Sequence, residues 1–308
     1  MIDSKKKGSG SILKTTLSER TYMLMLLPGL IFLLIFSYAP MVGIMMAFQK
    51  YNPVAGMLNS RWIGMQNFQY IIKVPEVGSI FANTLIIACS NIVLGLIIPI
   101  IYSLLLNEVR SGVFKKAVQT IVYLPFFLSW VVLGVIFRQL FSMTGLINNI
   151  LSILFEEPIM FLSSNTLFRP LLIITNQWKG FGWGTIIYLA AITSIDPGLY
   201  ESAMLDGATR FQRVLYITLP GISATIILMM TLSLGNVLNA GFDQVFNLYN
   251  PLVYETADII DTYVYRLGLV KLQYSMSTAV GLLKSVISFF LITLSYKLAN
   301  KYANYQIF

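Results

Sequence analysis

Long apolar runs alternate with polar segments along this chain of 308 residues. Each run is long enough to cross a bilayer as a helix, which needs about 20 mostly apolar residues. The pattern therefore predicts an all-α integral membrane protein with six transmembrane crossings. The predicted crossings are 22–48, 80–106, 117–141, 170–194, 221–242 and 276–299.

The segments between the crossings are more polar and are predicted to be loops. Segment 49–79 is turn-rich and could hold a short surface helix, and segment 243–275 carries several acidic residues. Pro28 and Pro40 are expected to bend the first crossing or to mark its effective ends. The basic-then-apolar start resembles a signal peptide, but the run is longer than a signal core and is interpreted as a retained helix.

One polar stretch, 196–220, has the pattern of a helix, a turn and a second helix. Asp196 followed by Pro197 is a strong helix start. Gly207 supplies the left-handed residue that ends a helix. Thr209 with a glutamine three residues later repeats the start signal as a capping box. Pro220 is then expected to separate this pair from the fifth crossing.

Composition supports a membrane location and excludes several kinds of chemistry. The chain is 56% hydrophobic and 11% charged, with a mean hydropathy of +0.74, whereas soluble domains carry about 25% charged residues. It has no histidine, and its one cysteine is Cys89, so histidine chemistry and an intrachain disulfide are excluded. No Gly-x4-Gly-Lys-Ser/Thr loop is present, so nothing suggests that this chain binds ATP by itself.

The basic residues predict the orientation in the membrane. Twelve lysines and arginines lie in the N-terminal tail, the second-to-third loop (which contains Arg110), the 196–220 stretch and the C-terminus; six lie in the three longer loops. The positive-inside rule therefore places both termini and the 196–220 stretch in the cytoplasm. The expected domains are a basic cytoplasmic tail, 1–21, and one six-span domain, 22–308.

The 196–220 stretch resembles a known family motif. Its Glu-Ser-Ala, Asp-Gly-Ala and Ile-Thr-Leu-Pro elements are spaced as in the cytoplasmic "EAA" loop of permease subunits in binding-protein-dependent ABC importers, departing at Ser202, where the pattern more often has alanine. The resemblance implies a type I ABC importer permease fold and a loop that couples to a partner ATPase. The residues implied for this coupling are Glu201, Ala203, Asp206, Gly207, Ala208, Arg210, Leu219 and Pro220.

Further segments, within about 26–297, resemble the carbohydrate-uptake, maltose-type branch of these permeases. The segments 49–53 and 127–130 are most similar to the group for complex oligosaccharides and polysaccharide fragments. The resemblance implies a transport subunit and not an enzyme. Its implied partners are a second homologous permease, giving a heterodimer, a cytoplasmic ABC ATPase dimer, and an extracytoplasmic solute-binding lipoprotein. ATP and Mg would be bound by the ATPase, with no cofactor on this chain.

Polar and aromatic residues inside the crossings are candidates for a substrate pathway, because burying them against lipid is costly. Amides match sugar hydroxyls, and aromatic faces cover the C–H side of a sugar ring. Two sets are spaced i, i+3, i+7, as on one helical face. The candidates are Asn176, Lys179 and Trp183; Asn236, Asn239 and Asp243; and Trp130 and Arg138.

The sequence leaves alternatives open. The polar residues could instead form interhelical hydrogen bonds or anchor the helices at the membrane interface. Lys179 and Lys284 are expected to face a cavity or pair with a carboxylate, with Asp243 as a candidate partner. A secondary transporter or channel would carry intramembrane carboxylates, which are almost absent. A membrane-embedded enzyme such as a glycosyltransferase or protease is disfavoured by the lack of histidine and of paired acids.

Overall fold

The computed structural model describes residues 20–109 and 111–303. Most of the expected basic tail, 1–21, therefore lies outside the described residues, as does Arg110 of the second-to-third loop. The regular structure of the described chain is helical apart from two short strands.

The first crossing is helical throughout but changes type along its length. It begins as α1, Arg20–Leu33, continues through a π-helical turn, Leu34–Tyr38, and ends as a 3-10 helix, Ala39–Phe48. The change occurs next to Pro40, which has no N–H to donate to the preceding turn. The amide of Ala39 bonds instead to Leu34 O across the wider turn. Pro28 lies inside α1.

The predicted loop 49–79 contains ordered structure. Strand β1, Gln49–Lys50, pairs antiparallel with β2, Arg61–Trp62. Helices α2, Gly56–Asn59, and α3, Gln66–Lys73, complete the segment. The second crossing is α4, Pro75–Asn107, which begins five residues earlier than predicted.

The third crossing is not a single helix, contrary to the prediction. Helix α5, Gly112–Tyr123, leads to a 3-10 turn, Leu124–Phe127, and helix α6, Trp130–Leu140, leaves at an angle of 102°. A proline in the 3-10 turn removes one backbone donor. Ser129 then caps α6, its side chain accepting from Val132 N at 3.3 Å.

The fourth crossing is a single helix, as predicted. After the short α7, Leu146–Leu151, helix α8 runs over Asn165–Thr193, and its 29 residues span about 43 Å. It packs parallel to α4, and the contacting residues advance by almost equal steps along the two helices. Three contacts show this: Asn83 with Arg169, Asn91 with Gln177, and Pro99 with Gly184.

The 196–220 pair consists of α9, Pro197–Leu205, and α10, Arg210–Arg213. The chain then continues through a π turn, Val214–Thr218, and α11, Leu219–Gly221, and bends by 59° into α12, Ser223–Leu234. Pro220 lies in α11 directly before this bend, so the boundary with the fifth crossing follows Pro220 and Gly221, as predicted. As at Pro40, a π turn precedes the proline, and Leu219 N bonds to Val214 O.

The predicted loop 243–275 is instead the most buried part of the structure. It holds α13, Phe242–Leu248, a 3-10 turn, Pro251–Val253, α14, Tyr254–Ala257, α15, Ile260–Tyr265, and a π turn, Arg266–Val270. Its apolar side chains form two core clusters with the starts of α4 and α8 and with the last crossing, α16, Tyr274–Ala303.

Length and apolar composition support five of the six crossings in the described part of the chain. Three single segments qualify, Tyr22–Phe48, Pro75–Asn107 and Tyr274–Leu294, and the two bent pairs qualify when each is taken as one. Helix α8 is not apolar enough to qualify, since Asn176, Gln177 and Lys179 interrupt its apolar run. Its length and its packing along α4 identify it as the remaining crossing.

Candidate functional site

The helical pair at 196–220 has the local structure that its sequence predicts. The Asp196 side chain accepts from Gly198 N at 2.9 Å and starts α9. Gly207 has a φ of +77°, and its amide bonds to Met204 O while the next amide bonds to Ala203 O. These two bonds form a Schellman motif, which satisfies the last carbonyls of α9. The motif explains why a glycine is needed at this position.

The second helix of the pair starts with the predicted capping box. Thr209 N donates to Gln212 Oε1 at 2.8 Å, and Gln212 N donates to Thr209 Oγ1 at 3.3 Å. Two backbone N–H groups at the start of α10 that have no partner within the helix are thereby hydrogen-bonded. Only three residues lie between the C-cap of α9 and the start of α10, so the chain turns sharply between the two helices.

The pair is attached to the ends of the crossings by three contacts. Tyr200 Oη and Thr218 Oγ1 lie 2.9 Å apart, which joins α9 to the π turn. A Cβ at Gly221 would lie 2.7 Å from Ile195 Cδ1, so the start of the fifth crossing packs tightly on the end of the fourth. Arg210 pairs with a glutamate after α4 at 3.6 Å, but both side chains are well exposed, so this pair contributes little to stability.

Most of the predicted coupling residues lie at the surface. Glu201, Asp206, Gly207, Arg210 and Pro220 are exposed, whereas Ala203, Ala208 and Leu219 are half-buried. Glu201 also lines a cleft of about 380 Å³ between the start of α9 and the ends of α4 and α8.

Large apolar side chains on the same surface were not among the predicted residues. Leu205 is 90% exposed, Phe211 74% and Tyr216 72%. They lie on both sides of the glycine turn. Several large apolar residues within one polar stretch were the available signal, because an exposed apolar patch marks an interaction site.

The structure brings Lys179 and Trp183 of α8 together with the break in the third crossing. Lys179 Nζ donates to Phe126 O at 2.7 Å, and Trp183 stacks on the Phe126 ring with a centroid distance of 4.6 Å. Trp130 is the first residue of α6, and its ring centroid lies 5.8 Å from the ammonium. Phe126 was not among the predicted residues, because the third crossing was predicted as one uninterrupted span although Pro125 lies within it.

Two other predicted pathway residues do not join this cluster by a contact. Asn176 is half-buried on α8, one turn before Lys179, and Arg138 is exposed near the end of α6. No hydrogen bond or ion pair within the described residues connects either of them to Lys179.

The predicted face formed by Asn236, Asn239 and Asp243 is wrong. Helix α12 ends at Leu234, Asn236 lies in the turns that follow, Asn239 lies in irregular backbone, and Asp243 is in the separate helix α13. The segment between α12 and α13 is not helical, and Gly241 within it has a φ of +86°, which favours glycine. Asn236 and Asn239 nevertheless line one cavity, of about 220 Å³, together with Asn91 of α4.

The predicted pairing of a lysine with Asp243 is also wrong. Lys284 Nζ lies 2.5 Å from Asp261 Oδ1, and Lys179 bonds to a carbonyl. Asp243 is exposed and takes part in none of the ion pairs of the described chain. The prediction failed because Asp261 was assigned to a loop, while the structure packs its helix against α16.

The end of the molecule away from the helical pair holds a buried polar network. Arg169 donates to Asn83 Oδ1 at 2.6 Å and to Thr256 O at 3.2 Å. Arg266 forms an ion pair with Asp258. Burial alone would lower the pKa of Arg266, but the hydrogen bonds and charge of Asp258 raise it above its ordinary value. The network holds α4, α8 and the 243–275 segment together.

Comparisons with known proteins match most of this chain. Residues 92–304 match the family described as binding-protein-dependent transport system inner membrane component. The chain is 42% identical over 305 residues to the polygalacturonan/rhamnogalacturonan transport system permease protein YteP of Bacillus subtilis (strain 168), with 99% of this chain and 95% of that protein covered. It is 43% identical over 291 residues to protein LplB of the same strain, with 94% and 92% covered.

Two solved structures are similar over nearly the full length. One is a bacterial ABC transporter involved in the import of the acidic polysaccharide alginate, with a TM-score of 0.87, 39% identity, and 94% of this chain and 99% of that chain covered. The other is the bacterial alginate ABC transporter in complex with an alginate pentasaccharide-bound periplasmic protein, with a TM-score of 0.86, 39% identity, and 94% and 96% covered.

Proposed function

The chain belongs to the family of binding-protein-dependent transport system inner membrane components, and we propose from this that it is the permease subunit of an ATP-driven oligosaccharide importer. As a member of this family it is a multi-pass membrane protein and a transport component, not an enzyme. The observation that carries the proposal is the similarity to the two Bacillus subtilis proteins and to the alginate transporter over almost the whole chain.

The proposed substrate is a carbohydrate of several units. The relative YteP carries polygalacturonan and rhamnogalacturonan in its name, and the structural neighbour is involved in the import of alginate. The aromatic and amide residues at the third and fourth crossings suit such a ligand, because aromatic faces pack on sugar C–H groups and amides match hydroxyls.

The proposed coupling element is the helical pair at 196–220. Its glycine turn is held by hydrogen bonds within the pair, and its exposed apolar side chains, Leu205, Phe211 and Tyr216, would be covered by a partner ATPase. ATP and Mg would bind to that ATPase. Tight contact at Gly221 with Ile195 would pass a displacement of the pair to the fourth and fifth crossings.

The proposed assembly contains this chain, a second homologous permease, an ATPase dimer and an extracytoplasmic binding protein. The similarity to the alginate transporter supports the inclusion of a binding protein, because that structure includes a periplasmic protein. The second permease would close a cavity against the exposed side of α8. Affinity purification from native membranes, followed by mass spectrometry, tests which of these partners are present.

The proposed orientation places both termini and the helical pair in the cytoplasm. It can be tested by cysteine labelling in a Cys89→Ser background, because Cys89 is the one cysteine of the chain. Thr209→Cys reports on the pair, and Val54→Cys, at a residue 96% exposed in the 49–74 segment, is the matched control. An impermeant maleimide should label Val54→Cys in intact cells and Thr209→Cys only after permeabilisation. Labelling of Thr209→Cys in intact cells would refute the orientation.

Transport itself is tested by reconstitution. The purified complex in proteoliposomes should take up oligosaccharide only when ATP and the binding protein are both supplied. Uptake by the purified chain alone, without ATPase or ATP, would identify a secondary transporter or channel instead.

A further inference from the structure

The backbone of the third crossing is interrupted where it meets the middle of α8. Helix α5 ends at Tyr123, the 3-10 turn follows, and the axis has turned by 102° when α6 starts. Non-helical backbone at membrane depth is tolerated where it is buried in protein or lines a water-filled cavity, because an unpaired carbonyl in hydrocarbon is costly. The break therefore indicates protein or water, and not lipid, beside this turn.

Lys179 lies at this break with incomplete charge compensation. Its Nζ donates to Phe126 O at 2.7 Å, whereas an ammonium group has three hydrogens to donate. No carboxylate oxygen of the described residues lies within 4.0 Å of Nζ. A charged group inside a crossing is costly and usually faces a transport path. This lysine thus has capacity for an anionic ligand.

Aromatic rings lie close to the ammonium group. Nζ lies 5.1 Å from the Phe126 ring centroid and 5.8 Å from that of Trp130. Trp183 stacks on Phe126 with an interplanar angle of 3°, and Phe127 meets Trp183 edge-on at 6.2 Å. Phe127 is 70% exposed and Trp183 45%, so the described chain leaves ring surface of both uncovered.

We propose that Lys179 and these rings form a subsite for an acidic sugar unit, with the sugar carboxylate bound to the ammonium and its C–H face packed on Trp183. This inference rests on the proposed oligosaccharide transport and adds to it a charge requirement. A neutral sugar would leave the ammonium without a counter-charge, so the subsite selects uronate-containing oligosaccharides. Lys179 determines this selectivity, since the aromatic rings would pack equally well on an acidic or a neutral sugar.

The alternative is that Lys179 only ties α8 to the broken crossing through Phe126 O. Three substitutions separate the two roles. Lys179→Arg keeps both the charge and a donor, Lys179→Gln keeps a donor without the charge, and Lys179→Met keeps neither. Binding-protein-stimulated ATPase activity and thermal unfolding of each variant report whether the complex is intact.

The experiment measures ATP-driven uptake by the complete importer in proteoliposomes, with an oligogalacturonide and a neutral galactooligosaccharide as probes. We expect wild type to prefer the acidic probe and Lys179→Arg to retain most of its uptake. Uptake of the acidic probe should fall about tenfold or more in both Lys179→Gln and Lys179→Met, as expected for removal of a hydrogen bond to a charged group.

Other outcomes would overturn the inference in distinguishable ways. Normal acidic-probe uptake by Lys179→Gln, with loss in Lys179→Met, would show that the bond to Phe126 O is what matters. Equal wild-type uptake of both probes, unchanged in all variants, would refute the charge requirement and leave the proposed function standing. Wild-type uptake of neither probe, with both probes shown to bind the binding protein, would refute oligosaccharide transport itself.

Discussion

Lys284 of α16 pairs with Asp261 of α15, with 2.5 Å between Nζ and Oδ1. Both side chains are about three-quarters buried, at 22% and 25% exposure. The pair joins the last crossing to the segment before it and neutralises a lysine in an otherwise apolar part of α16. Removing one partner of a buried pair leaves the other charge uncompensated.

We therefore expect Lys284→Met to lower the free energy of unfolding by about 1–3 kcal/mol. The double variant Lys284→Met/Asp261→Asn should be less destabilised than the sum of the single variants, because it leaves no unpaired charge. Thermal unfolding of the detergent-purified protein measures all three. Strict additivity would mean that the two residues do not interact.

The left-handed conformation of Gly207 predicts a graded response to substitution. Asn is tolerated at such positions, Ala is less so, and a β-branched residue least, with a cost of about 1–2 kcal/mol for a non-glycine residue. We expect ATP-driven uptake to fall in the order Gly207, Gly207→Asn, Gly207→Ala, Gly207→Val, with membrane insertion unchanged. The control is Gly29→Ala, at a helical glycine where an added Cβ would have no neighbouring atom within 4 Å. Normal uptake by Gly207→Val would contradict a coupling role for this turn.

Two glycines two residues apart on α8 should respond oppositely to alanine. A Cβ at Gly182 would lie 2.3 Å from Val122 O, against the backbone of α5, whereas nothing lies within 4 Å of a Cβ at Gly180. Gly182→Ala should lower the free energy of unfolding by about 1–3 kcal/mol through overpacking. Gly180→Ala should be neutral or stabilising by about 0.5–1 kcal/mol, because alanine favours the helix. Similar unfolding temperatures for both variants would show that α5 and α8 do not pack this closely.

Tyr249, in the segment between the fifth and sixth crossings, predicts an alkaline loss of stability. The pKa of Tyr249 is raised from 10.0 to about 12. Burial is the largest cause, and the charge of the neighbouring Tyr254 is the next. Since the folded-state pKa is raised, the stabilisation is fully present below pH 10 and is lost as the pH rises towards about 12. Tyr249→Phe should reduce the loss of stability between these pH values, whereas Tyr70→Phe, at an exposed tyrosine, should not. Thermal unfolding at pH 9 to 12 provides the measurement, and identical profiles for wild type and Tyr249→Phe would exclude this contribution.

Local features of the helical pair could be predicted because they depend on neighbouring residues. The Asp196 cap, the Gly207 turn and the Thr209 capping box each involve residues within five positions of one another. The same locality explains the failure at 236–243. The helical spacing of Asn236, Asn239 and Asp243 does not show that α12 ends at Leu234, so the expected face does not exist.

The alternation of apolar and polar residues determined by itself that the chain is helical, that it crosses the membrane repeatedly, and where the helical pair is inserted. These properties follow from solvation by lipid and from hydrogen bonds between near neighbours. Only the tertiary structure decided that Lys284 pairs with Asp261, that Lys179 reaches the carbonyl of Phe126, and that segment 243–275 is core and not loop. Such contacts join residues from 23 to more than 170 positions apart, and their partners depend on how α4, α8 and α16 pack, which no local pattern specifies.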